Sequence, residues 1–229
     1  MLPGESKMEH FKIIEALDNE IDNRIRGLQP LNTENLRAVR REFSKRVIDA
    51  SAGQVLKLAL TLLDHEGIEF RFVAYELVSH HRPALQSLRE KELVKLGRGL
   101  DSWAAVDTFA CYLSGPAWRE HQVPDSLIHR WARSPDRWWR RAALVSTVPL
   151  NNKARGGRGD TPRTLDICLR LVEDRDDMVV KALSWALRAL AVRDPKAVRA
   201  FLIEHKGGLA ARVKREVQNK LLTGLKNPK

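Results

Sequence analysis

The sequence predicts an all-α protein built as a helical repeat solenoid. Apolar residues recur at helical spacing along almost the whole chain, strand-like alternation is scarce, and one pattern returns at a spacing of about 35–45 residues. Hydrophobic residues make up 43% and charged residues 30% of the 229. A chain of this length and composition can bury a sizeable core, and the composition argues against disorder as the dominant state.

Helix start signals recur along the chain and justify individual helices. Asn32 or Thr33 can cap the helix of "LNTENLRAVRREF", and Ser134 can cap a later one in "SPDRWWRRAAL". Asp194 stands before a proline in "VRDPKAVRAFL", which is typical of an N-cap followed by proline at the first helical position. Only "FRFVAYELV", residues 70–78, is briefly ambiguous. Its apolar positions keep helical spacing, so this segment also predicts a helix.

Two segments of the chain resemble each other. "DRWWRRAALVSTV" superposes on "DDMVVKALSWAL" at an offset of about 40 residues, which matches Asp136 with Asp176 and Arg141 with Lys181. "DSWAAVDTFACYL" begins with the same acid and tryptophan about 35 residues before Asp136. This period in an all-helical chain indicates HEAT-like helix pairs stacked as a solenoid, and an ordinary helical bundle is the alternative. We expect the concave face of the solenoid to be basic.

The predicted solenoid forms a single domain over residues 1–229. Residues 151–163, "NNKARGGRGDTPR", are rich in Gly, Asn and Arg and predict a flexible loop inside it. No stretch approaches the roughly 20 apolar residues that span a bilayer, and "MLPGESKMEH" lacks the apolar core of a signal peptide. Cys111 and Cys168 lie in apolar helical patterns without metal-ligand spacing, so we expect buried free thiols and no metal site.

The charge of the chain favours a polyanionic partner. Lys and Arg total 40 against 29 Asp and Glu, which gives a net charge of +11. The excess is clustered, since five basic residues and no acidic one lie from Arg140 to Arg158. Nucleic acid suits this distribution better than a membrane surface, because no basic helix carries an aromatic insertion face.

Two tryptophans and one carboxylate stand out from the apolar pattern. Asp107 lies one turn from Trp103 on the same stripe of a helix that also carries Ala110 and Ser114, although Asp is a poor residue for a helix interior. A solvated surface acid is the alternative interpretation. Trp185 points away from the apolar face of its own helix. It could serve for stacking, or pack at the boundary with the next repeat.

Cations accompany these residues. Lys181 and Arg188 flank Trp185 on its helix. Arg141 lies one turn from Arg137, and we expect its guanidinium, a planar fork suited to phosphate, to emerge at the N-terminal end of its helix. The adjacent Trp138 and Trp139 cannot face the same way, so at least one of them belongs to the core.

In order, the motifs "SWAAVD", "WWRRAAL", "KALSWALR" and "VKRE" resemble the DNA alkylation repair glycosylases of the AlkD type, which are built from HEAT-like repeats. The resemblance covers residues 30–222. It implies that Trp103 and Trp185 flank the damaged nucleotide and that Asp107 is the catalytic carboxylate. It also implies that Arg141 contacts the DNA backbone. Three further residues match other basic positions of the family, namely Arg188, Lys214 and Arg215.

The function that this resemblance implies is a monofunctional DNA glycosylase that excises cationic N-alkylated purines, such as 3-methyladenine and 7-methylguanine. Its partner is double-stranded DNA carrying alkylated bases, and we expect a cytoplasmic monomer without a cofactor, associated with the nucleoid when bound to DNA. One alternative is a non-catalytic HEAT-repeat protein that binds distorted or branched DNA, for which Asp107 has no evident use. Another is a solenoid that binds an acidic protein, which needs no outlying tryptophans beside cations.

Overall fold

The computed structural model describes residues 3–228, with side chains from residue 13 onward. The described residues form helices and connecting turns without a strand, which confirms the all-α class. They group into two compact units, Met1–Arg98 and Gly99–Lys229, and the single domain over residues 1–229 stays a prediction. The segment searched for a signal peptide begins with Met1 and Leu2, which lie outside the described residues. No described helix combines the length and the apolar run needed to cross a membrane.

The N-terminal unit packs its helices around a core of aromatic and branched side chains. Phe43, Phe70 and Tyr75 are fully buried in it. "FRFVAYELV" lies inside one of these helices, as predicted, and Asn32 caps another by accepting a hydrogen bond from the Asn35 N–H. The helices are α1 (Pro3–Arg26), α2 (Thr33–Arg46), α3 (Ala52–Leu62), α4 (Ile68–His80), α5 (Arg82–Ser87) and α6 (Glu90–Leu96).

The C-terminal unit stacks helices in two layers. Its helices are α7 (Trp103–Phe109), α8 (Gly115–Arg119), α9 (Asp125–Ala132), α10 (Arg137–Ser146), α11 (Val148–Asn151), α12 (Thr161–Arg170), α13 (Asp177–Ala191), α14 (Pro195–Glu204) and α15 (Ala211–Thr223). In one layer α7, α10, α13 and α15 lie side by side in chain order. In the other, α9 packs on α10, while α12 and α14 pack on α13. This stacking of helix pairs is the pattern of a helical repeat.

The predicted internal repeat is visible at the starts of α10 and α13. Asp136 caps α10 by accepting a hydrogen bond from the Trp138 N–H, and Asp176 caps α13 by accepting one from the Met178 N–H. The two aspartates that the sequence superposes are therefore the N-caps of two neighbouring helices. Asp194 likewise caps α14, with Pro195 in its first turn, as predicted.

The predicted start of α10 at Ser134 is wrong by two residues. Ser134 does not cap the helix but accepts a hydrogen bond from the Asp136 N–H. The Arg140 guanidinium donates to the carbonyls of Ser134 and Pro135 and so holds them in a turn before the helix. Asp136 then becomes the first residue whose side chain can reach a free N–H group of the helix.

The predicted loop at residues 151–163 is present, and hydrogen bonds from Arg193 hold part of it in place. It contains one 3-10 turn, Lys153–Arg155, and α12 already begins at Thr161. The Arg193 guanidinium donates to the carbonyls of Asn151 and Gly157, at 2.8 Å each. A side chain at Gly157 would collide with the backbone of Pro149, so the chain passes too close there for any other residue. These contacts hold part of the segment in place, and its flexibility stays a prediction.

The remaining core predictions concern cysteine and tryptophan. Cys111 and Cys168 are buried free thiols, as expected, and burial raises the pKa of Cys111 to about 12. Of the adjacent tryptophans, Trp139 packs into an aromatic cluster, with its ring centroid 4.8 Å from that of Trp131. Trp138 instead lies under the Arg137 guanidinium, 5.7 Å from its ring centroid.

Candidate functional site

A groove of about 420 Å³ in the C-terminal unit brings together residues from the three central motifs. The side chains come from α7, α10 and α13, which are neighbours in one layer of the stack, and from the chain after α15. Six of the eight predicted site residues meet here, although they are spread over much of the unit. The lining consists of Trp103, Asp107, Arg141, Met178, Lys181, Trp185, Arg188 and Lys226.

Asp107 is held by two hydrogen bonds inside the groove. The Nε of Arg141 donates to its Oδ1 at 2.9 Å, and Nη2 donates to its Oδ2 at 2.8 Å. The carboxylate side chain is 18% exposed. Burial raises the pKa of Asp107 above its ordinary value, and the Arg141 guanidinium opposes this rise. The acid is therefore mostly enclosed and fixed in orientation.

Arg141 is enclosed between two helices. Its third donor, Nη1, reaches the carbonyl of Met178 on α13 at 2.5 Å, and its side chain is only 6% exposed. The expectation that this guanidinium emerges at the end of its helix is wrong. The reason is that α10 lies between α7 and α13, so the Arg141 side chain meets the acid of α7 on one side and the Met178 carbonyl, in the first turn of α13, on the other.

The two tryptophans of the groove keep aromatic surface in contact with solvent. Trp103, the first residue of α7, is 58% exposed. Trp185 is half-buried on α13, where the apolar face of the helix is formed by other residues. Large apolar side chains that remain exposed in a groove are typical of a binding surface.

Besides Arg141, three cations line the groove, and two of them, Lys181 and Arg188, lie on α13. Lys181 pairs with Asp177 at 2.7 Å along its own helix. Arg188 donates to the Ser184 hydroxyl at 3.2 Å, and its Nε lies 3.9 Å from a carboxylate oxygen of Glu216. Burial lowers the pKa of Arg188, which nevertheless stays charged. Ser184 and Glu216 are buried behind the lining and hold Arg188 in place.

The remaining predicted cations, Lys214 and Arg215, do not belong to the described lining of the groove. Lys214 donates to the Lys206 carbonyl at 3.1 Å, and Arg215 is exposed on α15. Sequence reasoning missed Lys226, whose Nζ lies 3.5 Å from Glu216. The chain turns at Gly224 after α15, and no periodic pattern could show where this tail leads.

The helix that carries Asp107 changes its pitch directly after the groove. Residues Ala110–Ser114 form a π-helix, so Ser114 does not continue the stripe of Trp103 and Asp107 as the sequence predicts. Ser114 is buried and its hydroxyl lies 2.7 Å from that of Ser146. π-Helical turns within α-helices are rare and occur frequently beside functional sites.

One groove of this helical protein thus combines a fixed carboxylate, two indole faces and several cations, and the cations suit a negatively charged polymer. A family model described as DNA alkylation repair enzyme matches residues 22–221, and the chain belongs to this family. A search of curated proteins gave no match. Membership confirms the family resemblance and indicates a role in the repair of alkylation damage, and hence an interaction with DNA.

Proposed function

We propose that the protein is a monofunctional DNA glycosylase that hydrolyses the N-glycosidic bond of cationic N-alkylated purines, of the 3-methyladenine and 7-methylguanine type, in duplex DNA. The observation that carries the proposal is the meeting of Asp107, Trp103 and Trp185 in one groove with cations around them. The enzyme acts as a cytoplasmic monomer, associated with the nucleoid when bound to DNA, and it uses no cofactor.

The chemistry of the substrate calls for a fixed negative charge. An N-alkylated purine is positively charged, which weakens its bond to deoxyribose, and cleavage develops oxocarbenium character on the sugar. The Asp107 carboxylate stabilises this charge and orients the attacking water. An acid already held by two hydrogen bonds needs no reorganisation when the bond breaks.

Arg141 acts in this mechanism as a positioning residue. Its guanidinium engages both carboxylate oxygens and a backbone carbonyl, so it is not free for a DNA phosphate in the way that the family resemblance implies. Its charge favours the ionised form of Asp107 and so opposes the effect of burial on the pKa. The acid stays available as an anion in a largely enclosed site.

Trp103 and Trp185 select for a charged base. Indole faces attract cations through their quadrupole, by about 0.5–2 kcal/mol depending on desolvation. DNA phosphates are neutralised by Lys181, Arg188 and Lys226 in the groove. Lys214 and Arg215 contact DNA outside the groove.

Only cationic lesions are substrates, because no acid protonates the departing base. Among the described residues that line the groove there is no histidine, and no carboxyl group other than Asp107. Duplexes with 7-methylguanine or 3-methyladenine should yield abasic sites, whereas hypoxanthine and 1,N6-ethenoadenine should react little. Comparable rates on neutral and charged bases would contradict the mechanism.

The proposal is tested by Asp107→Asn in single-turnover excision of 7-methylguanine with saturating enzyme. We expect the rate to fall by about 10²–10³. The matched control is Asp177→Asn, which removes another carboxylate from the same unit, one that pairs with the groove residue Lys181. Circular dichroism and binding to undamaged duplex establish that each variant is folded.

An excision rate of Asp107→Asn equal to that of the wild type would refute the catalytic role. Wild-type protein that binds DNA without excising the base would indicate the non-catalytic alternative.

A further inference from the structure

A second basic cavity lies in the N-terminal unit, outside the groove of Asp107. It has a volume of about 940 Å³ and is formed by the C-terminal half of α2 together with the junction of α4 and α5. Five permanent cations and a single carboxylate, Glu42, contribute to its lining. The cations are Arg40, Arg41, Lys45, Arg46 and Arg82.

Three of these cations have no partner. Arg40 pairs with the buried Glu76, and Arg46 with Glu20. Within residues 13–228, the side chains of the other three form no ion pair or hydrogen bond, and all three are exposed; they are Arg41, Lys45 and Arg82. The single carboxylate, Glu42, is bound to Arg24 at 3.0 Å. The cavity therefore presents positive charge that no side chain of residues 13–228 neutralises.

Two buried polar atoms of the same lining lack hydrogen-bond partners within the described part of the chain. They are the Ser44 hydroxyl and the Nε2 of His81, and His81 is only 5% exposed. The Nδ1 of His81 accepts a hydrogen bond from the Ala84 N–H at 3.1 Å, so Nε2 carries a proton and is a donor. A buried donor without an acceptor is costly, and such atoms in a native structure call for an explanation.

The cavity thus offers hydrogen-bond donors of four kinds. Guanidinium and ammonium groups, a hydroxyl and an imidazole N–H all match the oxygens of a phosphate, and arginine binds phosphate with a fork of parallel donors. The long Arg and Lys side chains of the lining change rotamer readily, so a ligand can come within reach of Ser44 and His81.

We propose that this cavity is a phosphate-binding site, in which Arg41, Lys45 and Arg82 hold the phosphate group and the buried donors of Ser44 and His81 complete its coordination. The group is either a phosphodiester of the DNA backbone or a free phosphate. The proposal does not depend on the glycosylase activity, because neither source requires Asp107.

The test uses full-length protein labelled with ¹⁵N in its histidines and titrated with inorganic phosphate. We expect a saturable shift of the His81 ring signals and a higher melting temperature. Both responses should be lost in Arg41→Gln/Lys45→Gln, a pair four residues apart on α2. They should persist in Lys91→Gln/Lys95→Gln, an exposed pair with the same spacing on α6. Ser44→Ala should weaken phosphate binding several-fold without lowering the melting temperature.

A second arm identifies the source of the phosphate with undamaged duplex DNA. If the cavity holds the DNA backbone, Arg41→Gln/Lys45→Gln weakens DNA binding more than the α6 control does and makes its salt dependence shallower. A phosphate response with unchanged DNA binding supports a free phosphate instead. The proposal is overturned if phosphate causes no saturable shift, or if glutamate at equal ionic strength causes the same one. The latter outcome would assign the cavity to acidic protein partners or to simple screening.

Discussion

The groove of the C-terminal unit and the cavity of the N-terminal unit use positive charge in opposite ways. In the groove, Arg141 is buried and satisfied by a carboxylate and a carbonyl. In the cavity, Arg41 and Lys45 are exposed and unpaired among residues 13–228, and the same lining contains two buried polar atoms without partners in that range. A buried, paired cation such as Arg141 fixes the position of a neighbouring acid, whereas an exposed cation without a counter-ion is available to bind an anion. The two regions should therefore respond differently to the same kind of substitution.

The largest effect is expected at Arg141, where replacement by Gln should impair both excision and stability. Excision should fall by about 10²-fold, because the carboxylate loses its fixed position. Leaving one partner of a buried ion pair alone costs about 3–5 kcal/mol of unfolding free energy. Single-turnover kinetics and urea unfolding measure the two losses.

A double-mutant cycle with Asp107→Asn provides the control for this pair. The double variant should be more stable than the sum of the single losses predicts, since neither charge is then left alone. Strict additivity would show that the two residues are not coupled. If the salt dependence of DNA binding becomes shallower in Arg141→Gln, Arg141 contacts the DNA backbone after all.

The next effect concerns pH. Excision requires ionised Asp107, so its rate should rise with pH through the Asp107 pKa and then level off. Burial raises this pKa above the ordinary value of 3.8, so activity should be lost at a higher pH than for an exposed aspartate. Arg141→Gln removes the opposing charge and should move the profile to still higher pH. The measurement is single-turnover excision of 7-methylguanine across the acidic range, and a flat profile there would contradict it.

A smaller effect is expected for Lys181→Gln, which tests a half-buried cation of the groove. Affinity for every duplex sequence should fall, and the slope of log K against log salt should become shallower by about one unit. Lys91→Gln in the N-terminal unit is the control, since that exposed lysine lines neither described cavity. If the slope of log K against log salt is the same for the two variants, Lys181 does not contact a DNA phosphate.

The smallest effect concerns Ser44, whose hydroxyl has no partner among the side chains of residues 13–228. Ser44→Ala should leave the unfolding free energy unchanged or raise it by up to about 1 kcal/mol, because no hydrogen bond is lost and a buried hydroxyl without a partner is removed. Ser146→Ala is the contrasting variant, since that buried hydroxyl bonds to both Ser114 and the Ala142 carbonyl. It should cost about 1 kcal/mol. Equal losses in urea unfolding would show that Ser44 has a partner in solution.

Sequence periodicity predicted the side chains of the groove because it fixes the face of each helix. On α13, helical spacing alone separated Trp185, Lys181 and Arg188 from the apolar face. Periodicity does not encode which helices become neighbours. The bond between Arg141 and Asp107 joins residues 34 positions apart, and only the packing of α7 against α10 creates it. The sequence therefore showed an acid and a cation without showing that one holds the other.

The N-terminal cavity was beyond prediction for a related reason. Ser44 and His81 are ordinary residues of helix ends in the sequence, and a polar atom lacks a partner only in a defined three-dimensional arrangement. The same holds for Lys226, which reaches the groove from a segment without helical period. A sequence can predict which residue types form a surface. Whether their polar groups find hydrogen-bond partners depends on the tertiary structure.

The hydrogen bond from Arg141 to the Met178 carbonyl makes the reactive acid sensitive to the spacing of the repeats. This bond and the pair with Asp107 form a bridge that runs from α7 through α10 to α13. Connections outside the stack can lengthen without disturbing it, whereas a one-residue slip of α13 would rotate the carbonyl away and free the guanidinium. Insertions within α13 should thus silence the site, because they would disrupt this bridge.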